Sequence, residues 1–138
     1  MTGAESYLTC RIGTEWYGIN VQAIIEVVYM VALNDVYNPS PHVLGLMTLR
    51  KTLIPVLDLR RRFGIPSAPL TLSTPLVAVR TPAGTGAFVV DETDTIVPVD
   101  MALLESSPLS GISGAVRLNQ KTLFLLNAEQ LLHEVSIG

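Results

Sequence analysis

Two histidines, one cysteine and a scatter of carboxylates and arginines carry the reactive groups of this 138-residue chain. Nucleophilic catalysis would need Cys10, His42 or His133 within reach of a base or an orienting carboxylate, and no motif sets such a partner beside any of them. Metal binding would need ligands clustered at short, regular spacing, which two histidines and one cysteine do not supply. A glycine-rich phosphate loop ending in lysine is absent, as is a dinucleotide fingerprint. The expectation is therefore exposed or capping histidines and a buried, inert Cys10 on the strand face of Leu8 and Ile12. No catalytic residue, metal or cofactor is expected.

The charged residues are more informative. Glu26 stands between Ile25 and Val27 in the most apolar stretch of the chain. A lone carboxylate is costly to bury, so Glu26 must face water or meet a cation. Arg50, at the end of another apolar run, is the candidate partner. Such a pair is either a local structural contact or the mark of a partner-facing surface, and the residues alone leave both open. Asp58 reads as a helix cap and Asp91 as a turn cap. Arg60, Arg61 and Arg62 read as the solvated side of a short helix.

Composition narrows the class. The net charge of -3 lacks the basic excess of a nucleic-acid protein. A single cysteine favours a reducing compartment. No secretory signal pattern is visible, and Glu26 interrupts the best apolar run before it could span a bilayer, so a cytoplasmic protein without membrane insertion is expected. Hydrophobic residues make up 49% of the chain and charged ones 15%, more apolar than one core requires, which points to apolar surface kept for partners.

The elements that must position these groups read as strands between turns. Leu8, Cys10 and Ile12 alternate with Tyr7, Thr9 and Arg11 as in a half-buried strand. Trp16–Val21 follows, with Tyr17, Ile19 and Val21 on one side. Ile24–Val31 is rich in β-branched residues, with room for a helical turn across Val21–Ile25. Asn38-Pro39-Ser40-Pro41 is a connector. Gly45–Arg50 and Leu53–Asp58 form a hairpin across Lys51-Thr52, and Pro55 assigns its strand to an edge or a bulge. Asp58 caps a helix ending near Gly64, with its arginines exposed and Phe63 turned inward. Beyond the connector 66–75, strands are expected over Leu76–Arg80, Gly86–Val90, Thr93–Val99, Ala115–Leu118 and Thr122–Leu126. A turn is expected at Asn119-Gln120, and then a helix capped by Asn127. Gly45–Phe63 and Gly114–Leu132 share one pattern, a weak internal repeat whose spacing differs by about a residue. The fold class is all-β, as two small barrels that hide their edges.

The segments "EWYGINVQAIIEVV", "GLMTLRKTLIPVLDLRRRFG", "GAFVVDETDTIVPV" and "AVRLNQKTLFLLNAEQLL" resemble the CheW family of chemotaxis coupling proteins, in family order and over nearly the whole chain. Leu49-Arg50, Ile54-Pro55-Val56 and Asp58-Leu59-Arg60 carry the most specific part of the likeness. The resemblance implies a single CheW-like domain over 1–138. Its fold would be two five-stranded barrels around a shared hydrophobic interior, the first centred on 15–65 and the second on 75–120, with terminal strands and a helix closing them. It implies a non-enzymatic adaptor that binds the regulatory domain of a CheA-type histidine kinase and the cytoplasmic tip of a chemoreceptor. By motif, Val21, Val27, Leu44 and Leu53 fall at the kinase contact, as part of an exposed apolar patch. Ile24, Glu26, Arg50, Thr93 and Ile96 fall at the receptor contact. Thr48 and Lys51 depart from the family's Asn and Gly, Thr93 from an apolar residue and Asn127 from an aspartate. Lysine pays for the positive φ that glycine tolerates, so a turn of different shape is expected at Lys51.

Three functions compete. A coupling scaffold, in chemotaxis or a surface-motility system, engages both partners. A divergent modulator engages one. An enzyme or small-ligand barrel would require convergent polar groups that the sequence does not offer.

Overall fold

The computed structural model describes residues 4–37, 40–66 and 68–135. Asn38 and Pro39 of the expected connector lie outside that range. Among the described residues ten strands run in chain order: β1 (Ala4–Ile12), β2 (Glu15–Asn20), β3 (Ile24–Tyr29), β4 (Val43–Leu49), β5 (Thr52–Asp58), β6 (Pro75–Thr81), β7 (Gly84–Val89), β8 (Glu92–Asp100), β9 (Ile112–Leu118) and β10 (Lys121–Leu126). Two short helices, α1 (Leu59–Phe63) and α2 (Ala128–His133), each follow a hairpin. The helical turn allowed for at 21–25 is a 3-10 turn at Val21–Ala23, capped by the Asn20 side chain on the Gln22 amide at 2.8 Å.

The strands form two five-stranded sheets. A central sheet has the order β3-β6-β7-β5-β4 and a terminal sheet the order β8-β1-β2-β10-β9. The division differs from barrels centred on 15–65 and 75–120. The β1–β2 hairpin leaves its neighbours in sequence and pairs with β8 and, in parallel, with β10. The β6–β7 hairpin likewise pairs with β3 and β5. Each half of the chain thus lends a hairpin to the sheet built from the other half's three remaining strands.

The internal repeat is more regular than the sequence pattern alone implied. The helix caps Asp58 and Asn127 lie half of the 138-residue chain apart, and so do the turns Arg50-Lys51 and Asn119-Gln120 and the glycines Gly45 and Gly114. Both turns place two residues at positive φ: 50° and 71° at Arg50 and Lys51, 49° and 68° at Asn119 and Gln120. This is the mirror-image turn that matches strand twist in a two-residue hairpin. The central turn therefore sits one residue earlier than expected, since Thr52 pairs with Leu49, and its positive φ values match those of the Asn119-Gln120 turn. In each sheet, one bridge joins the chain leaving an edge strand to the opposite edge strand. Asn34 exchanges hydrogen bonds of 2.8 and 2.7 Å with Leu46, and Glu105 exchanges two of 2.8 Å with Ala115. A Cβ on Gly45 would lie 2.7 Å from the Asn34 carbonyl oxygen, and one on Gly114 2.7 Å from that of Glu105.

A seam core links the sheets. Leu8, Cys10, Ile12 and Ile19 of the terminal sheet meet Val77, Val79 and Phe88 of the central one, with Leu59, Leu131 and Leu132 from the helices. Each sheet also has a core of its own, around Leu76, Ala78 and Met47 in one and Tyr7, Val99 and Leu125 in the other. Strands β1 and β6 stand between two cores, so Tyr7–Cys10 and Leu76–Val79 are buried on both faces. The half-buried alternation expected for β1 is overturned for that reason. Pro55 is not at an edge, because β5 lies between β4 and β7; the β7 ladder begins only at Val56, which leaves the proline outside it.

Candidate functional site

On the central sheet, Val27 of β3 and Leu53 of β5 are large apolar side chains left exposed. Tyr29 and Val31, not singled out by the sequence reading, extend the exposed apolar surface along β3 and the chain beyond it. Of the other two residues expected in that patch, Leu44 is half-buried at a ladder irregularity between Val43 and Gly45 and packs on the sheet's own core. Val21 is half-buried in the 3-10 turn.

Ile24 and Glu26 belong to β3, and Thr93 and Ile96 to β8. These are edge strands of different sheets. Each runs beside a strand that faces the seam: Ile24 pairs with Val79, Thr93 with Cys10, and Ile96 with Leu8. Ile24 and Thr93 are half-buried, whereas Ile96 is exposed. Ile24 and Thr93 occupy equivalent places in the two halves, as do Val27 and Ile96. These four candidate contacts therefore repeat with the fold.

Glu26 and Arg50 meet at 2.6 Å, the pairing expected from their apolar surroundings. They sit on β3 and on the β4–β5 turn, so the contact spans the two edges of the central sheet. The equivalent positions near the terminal sheet's hairpin are Thr95 and Asn119, which carry no charge. There a cavity of about 400 Å³ opens instead, lined by Thr95 and Asn119 with Trp16, Val97 and Leu118 among others. The Lys121 ammonium lies 5.5 Å from the centre of the Trp16 ring beside it.

The sequence reading missed a second charged cluster. Asp91 accepts hydrogen bonds from the Gly13 amide at 2.7 Å and from Arg60 through Nε at 3.0 Å and Nη2, with Arg11 Nη1 at 3.5 Å. It is a junction of three chain segments and not a turn cap. The arginine run is likewise no free solvated face, for Arg62 bonds Glu134 at 2.7 and 2.9 Å while Arg61 lies 3.6 Å from Asp58. Hydrogen bonding to Arg62 holds the Glu134 carboxyl below its ordinary range. Arg60 and Asp91 are 31 residues apart, so no local pattern announces the contact. Their side chains are 13% and 17% exposed, against 67% and 31% for Arg50 and Glu26. The first pair is thus held by its surroundings, and solvent screens the second.

Cys10 is fully buried, and burial pushes its thiol up to about 12, which keeps it a protonated packing group. Among the described residues no group of three or more His, Cys, Asp or Glu is placed to hold a metal ion, and no helix is long and apolar enough to cross a membrane. Exposed apolar side chains beside a screened ion pair suit recognition of another protein surface.

The family model of the CheW-like domain matches residues 6–136. The chemotaxis protein CheW of Helicobacter pylori is 28% identical over 130 residues, 88% of this chain and 77% of that protein. The chemotaxis protein CheW of Bacillus subtilis is 24% identical over 104 residues, 75% of this chain and 67% of that protein. The crystal structure of the scaffolding protein TtCheW from Thermoanaerobacter tengcongensis superposes with a TM-score of 0.85 at 22% identity. That match covers 99% of this chain and 92% of the other, a likeness of fold.

Proposed function

We propose that this chain, which belongs to the CheW-like domain family, forms one CheW-like domain over residues 1–138 and acts as a non-catalytic coupling adaptor in bacterial chemosensory signalling. Its partners are the regulatory domain of a CheA-type histidine kinase and the cytoplasmic tip of a chemoreceptor. It works in the cytoplasm, recruited to membrane-associated receptor arrays. The family match across nearly the whole chain carries this reading. The exposed apolar residues supply its physical basis, because protein interfaces concentrate their energy in a few central anchors.

Val27 and Leu53, together with the half-buried Val21 and Leu44, serve the kinase contact; Ile24, Glu26, Arg50, Thr93 and Ile96 serve the receptor contact. Charging the first surface tests the assignment. Leu53→Asp weakens binding of the kinase regulatory domain by on the order of 2 kcal/mol while the circular dichroism and melting temperature stay close to the parent's. Parental affinity in the folded variant removes Leu53 from the contact. Separate titrations of kinase and receptor fragments decide whether both partners are engaged; loss of either interaction in the parent reduces the protein to a one-partner modulator.

A further inference from the structure

We propose that Asp91 is a positioning residue. It anchors the start of β8 to the N-terminal half of the chain and so sets how Thr93 and Ile96 are presented to a receptor-type partner. The inference deepens the coupling reading above and rests on it for the identity of the partner.

Apolar contact is non-directional, so the seam core brings the sheets together without by itself fixing how each edge strand is held. Charge-assisted hydrogen bonds are directional. Asp91 receives them from the β1–β2 turn through the Gly13 amide and from α1 through Arg60, and its own amide donates to the Arg11 carbonyl at 2.9 Å. The next residue, Glu92, takes a 2.8 Å bond from Arg11 Nε. Thr93 follows directly, paired with Cys10. Backbone and side chain are thus fixed on both sides of the point where β8 begins.

The other half of the molecule provides the control. Half a chain away from Asp91, Gly13 and Arg60 stand Gln22, Pro82 and Glu129. A proline has no amide hydrogen to donate, and a glutamate cannot replace the guanidinium. These residues line an open cavity of about 310 Å³ together with Arg80, the equivalent of Arg11. The anchor therefore exists at one of two equivalent junctions and acts on β8, not on β3.

Asp91→Asn in the full chain keeps the shape and one acceptor oxygen but removes the charge. Amide hydrogen exchange of the free protein and affinities for separate receptor and kinase fragments are then compared with the parent. The expected result is exchange about tenfold faster at Gly13 and Glu92–Thr95 with β3 unchanged. Receptor-fragment affinity falls about tenfold, the loss of one charged hydrogen bond, while kinase-domain affinity stays within about twofold. Arg60→Lys, which keeps the charge and loses the fork, shows the same pattern more weakly. Unchanged exchange in β8 overturns the anchoring. Equal loss for both partners, or faster exchange spread into β3, reduces Asp91 to a residue of general stability and overturns the positioning. A parent chain that binds no receptor fragment overturns the coupling reading instead, and the exchange pattern then decides the anchoring without any partner.

Discussion

The central and terminal sheets share one frame and differ in the side chains hung on it. Residues that decide backbone geometry recur half a chain apart: a glycine where the bridging segment crosses, two left-handed residues at the hairpin, and a capping side chain before a helix. The two ion pairs Glu26–Arg50 and Arg60–Asp91 do not recur. The central sheet has Glu26 and Arg50 across its edges, where the terminal sheet has Thr95, Asn119 and a cavity. The Asp91 junction faces no equivalent around Gln22. Backbone constraints must be met twice for the fold to close on both sides, whereas surface chemistry is free to diverge toward different contacts.

The sharpest way to break this comparison is at the repeated glycines. Gly45→Ala and Gly114→Ala each push a methyl group into a carbonyl oxygen at 2.7 Å. Both are expected to cost about 3 kcal/mol in denaturant unfolding, since backbone yields less readily than a side chain. A large effect at one site and none at the other would show that the two bridges are not equivalent supports. The next effect is asymmetric. Asp91→Ala strands Arg60 and the Gly13 amide, and partial exposure brings the cost down to about 2 kcal/mol. Gln22→Ala, at the equivalent place, should change stability by less than about 0.5 kcal/mol. Equal losses would erase the distinction between the junctions.

Smaller changes sharpen the contrast. Arg50→Ala should cost roughly 0–1 kcal/mol, because the pair is screened and ordering both side chains costs entropy. Its receptor coupling should nevertheless fall, and exchanging the charges of Glu26 and Arg50 should restore part of it; coupling indifferent to Arg50→Ala ends the functional role. Lys51→Gly relieves a left-handed lysine and should raise stability by about 0.5 kcal/mol, after the greater freedom of glycine in the unfolded chain is set against it. The smallest effect is acid titration at Arg62–Glu134. The folded carboxyl lies below its ordinary 4.5, so the pair's contribution is complete above that pH and fades as pH falls through the lower folded value. Glu134→Gln should lower the neutral plateau slightly and flatten that acid limb of the stability profile.

Much of this was legible from local rules. The turns at Asn119-Gln120 and near Lys51, the caps at Asp58 and Asn127, and the need of Glu26 for a cation follow from neighbours within a few residues, and the structure contains each of them. The Arg60–Asp91 contact and the exchange of hairpins between halves left no such mark. A capped helix bearing three arginines looks the same in sequence whether they face water or a carboxylate 31 residues away.

By itself, then, the sequence determined the all-β class, the order of its strands and turns, the family likeness and the need of Glu26 for a cation. Those properties rest on side-chain alternation, turn conformation, capping and the cost of an unpaired carboxylate, all of which act locally or through residue type. Only the tertiary structure decided which strands share a sheet, which faces of β1 and β6 are buried and where Asp91 finds its donors. Those outcomes depend on how two sheets pack across one seam, and there each half of the chain is completed by the other.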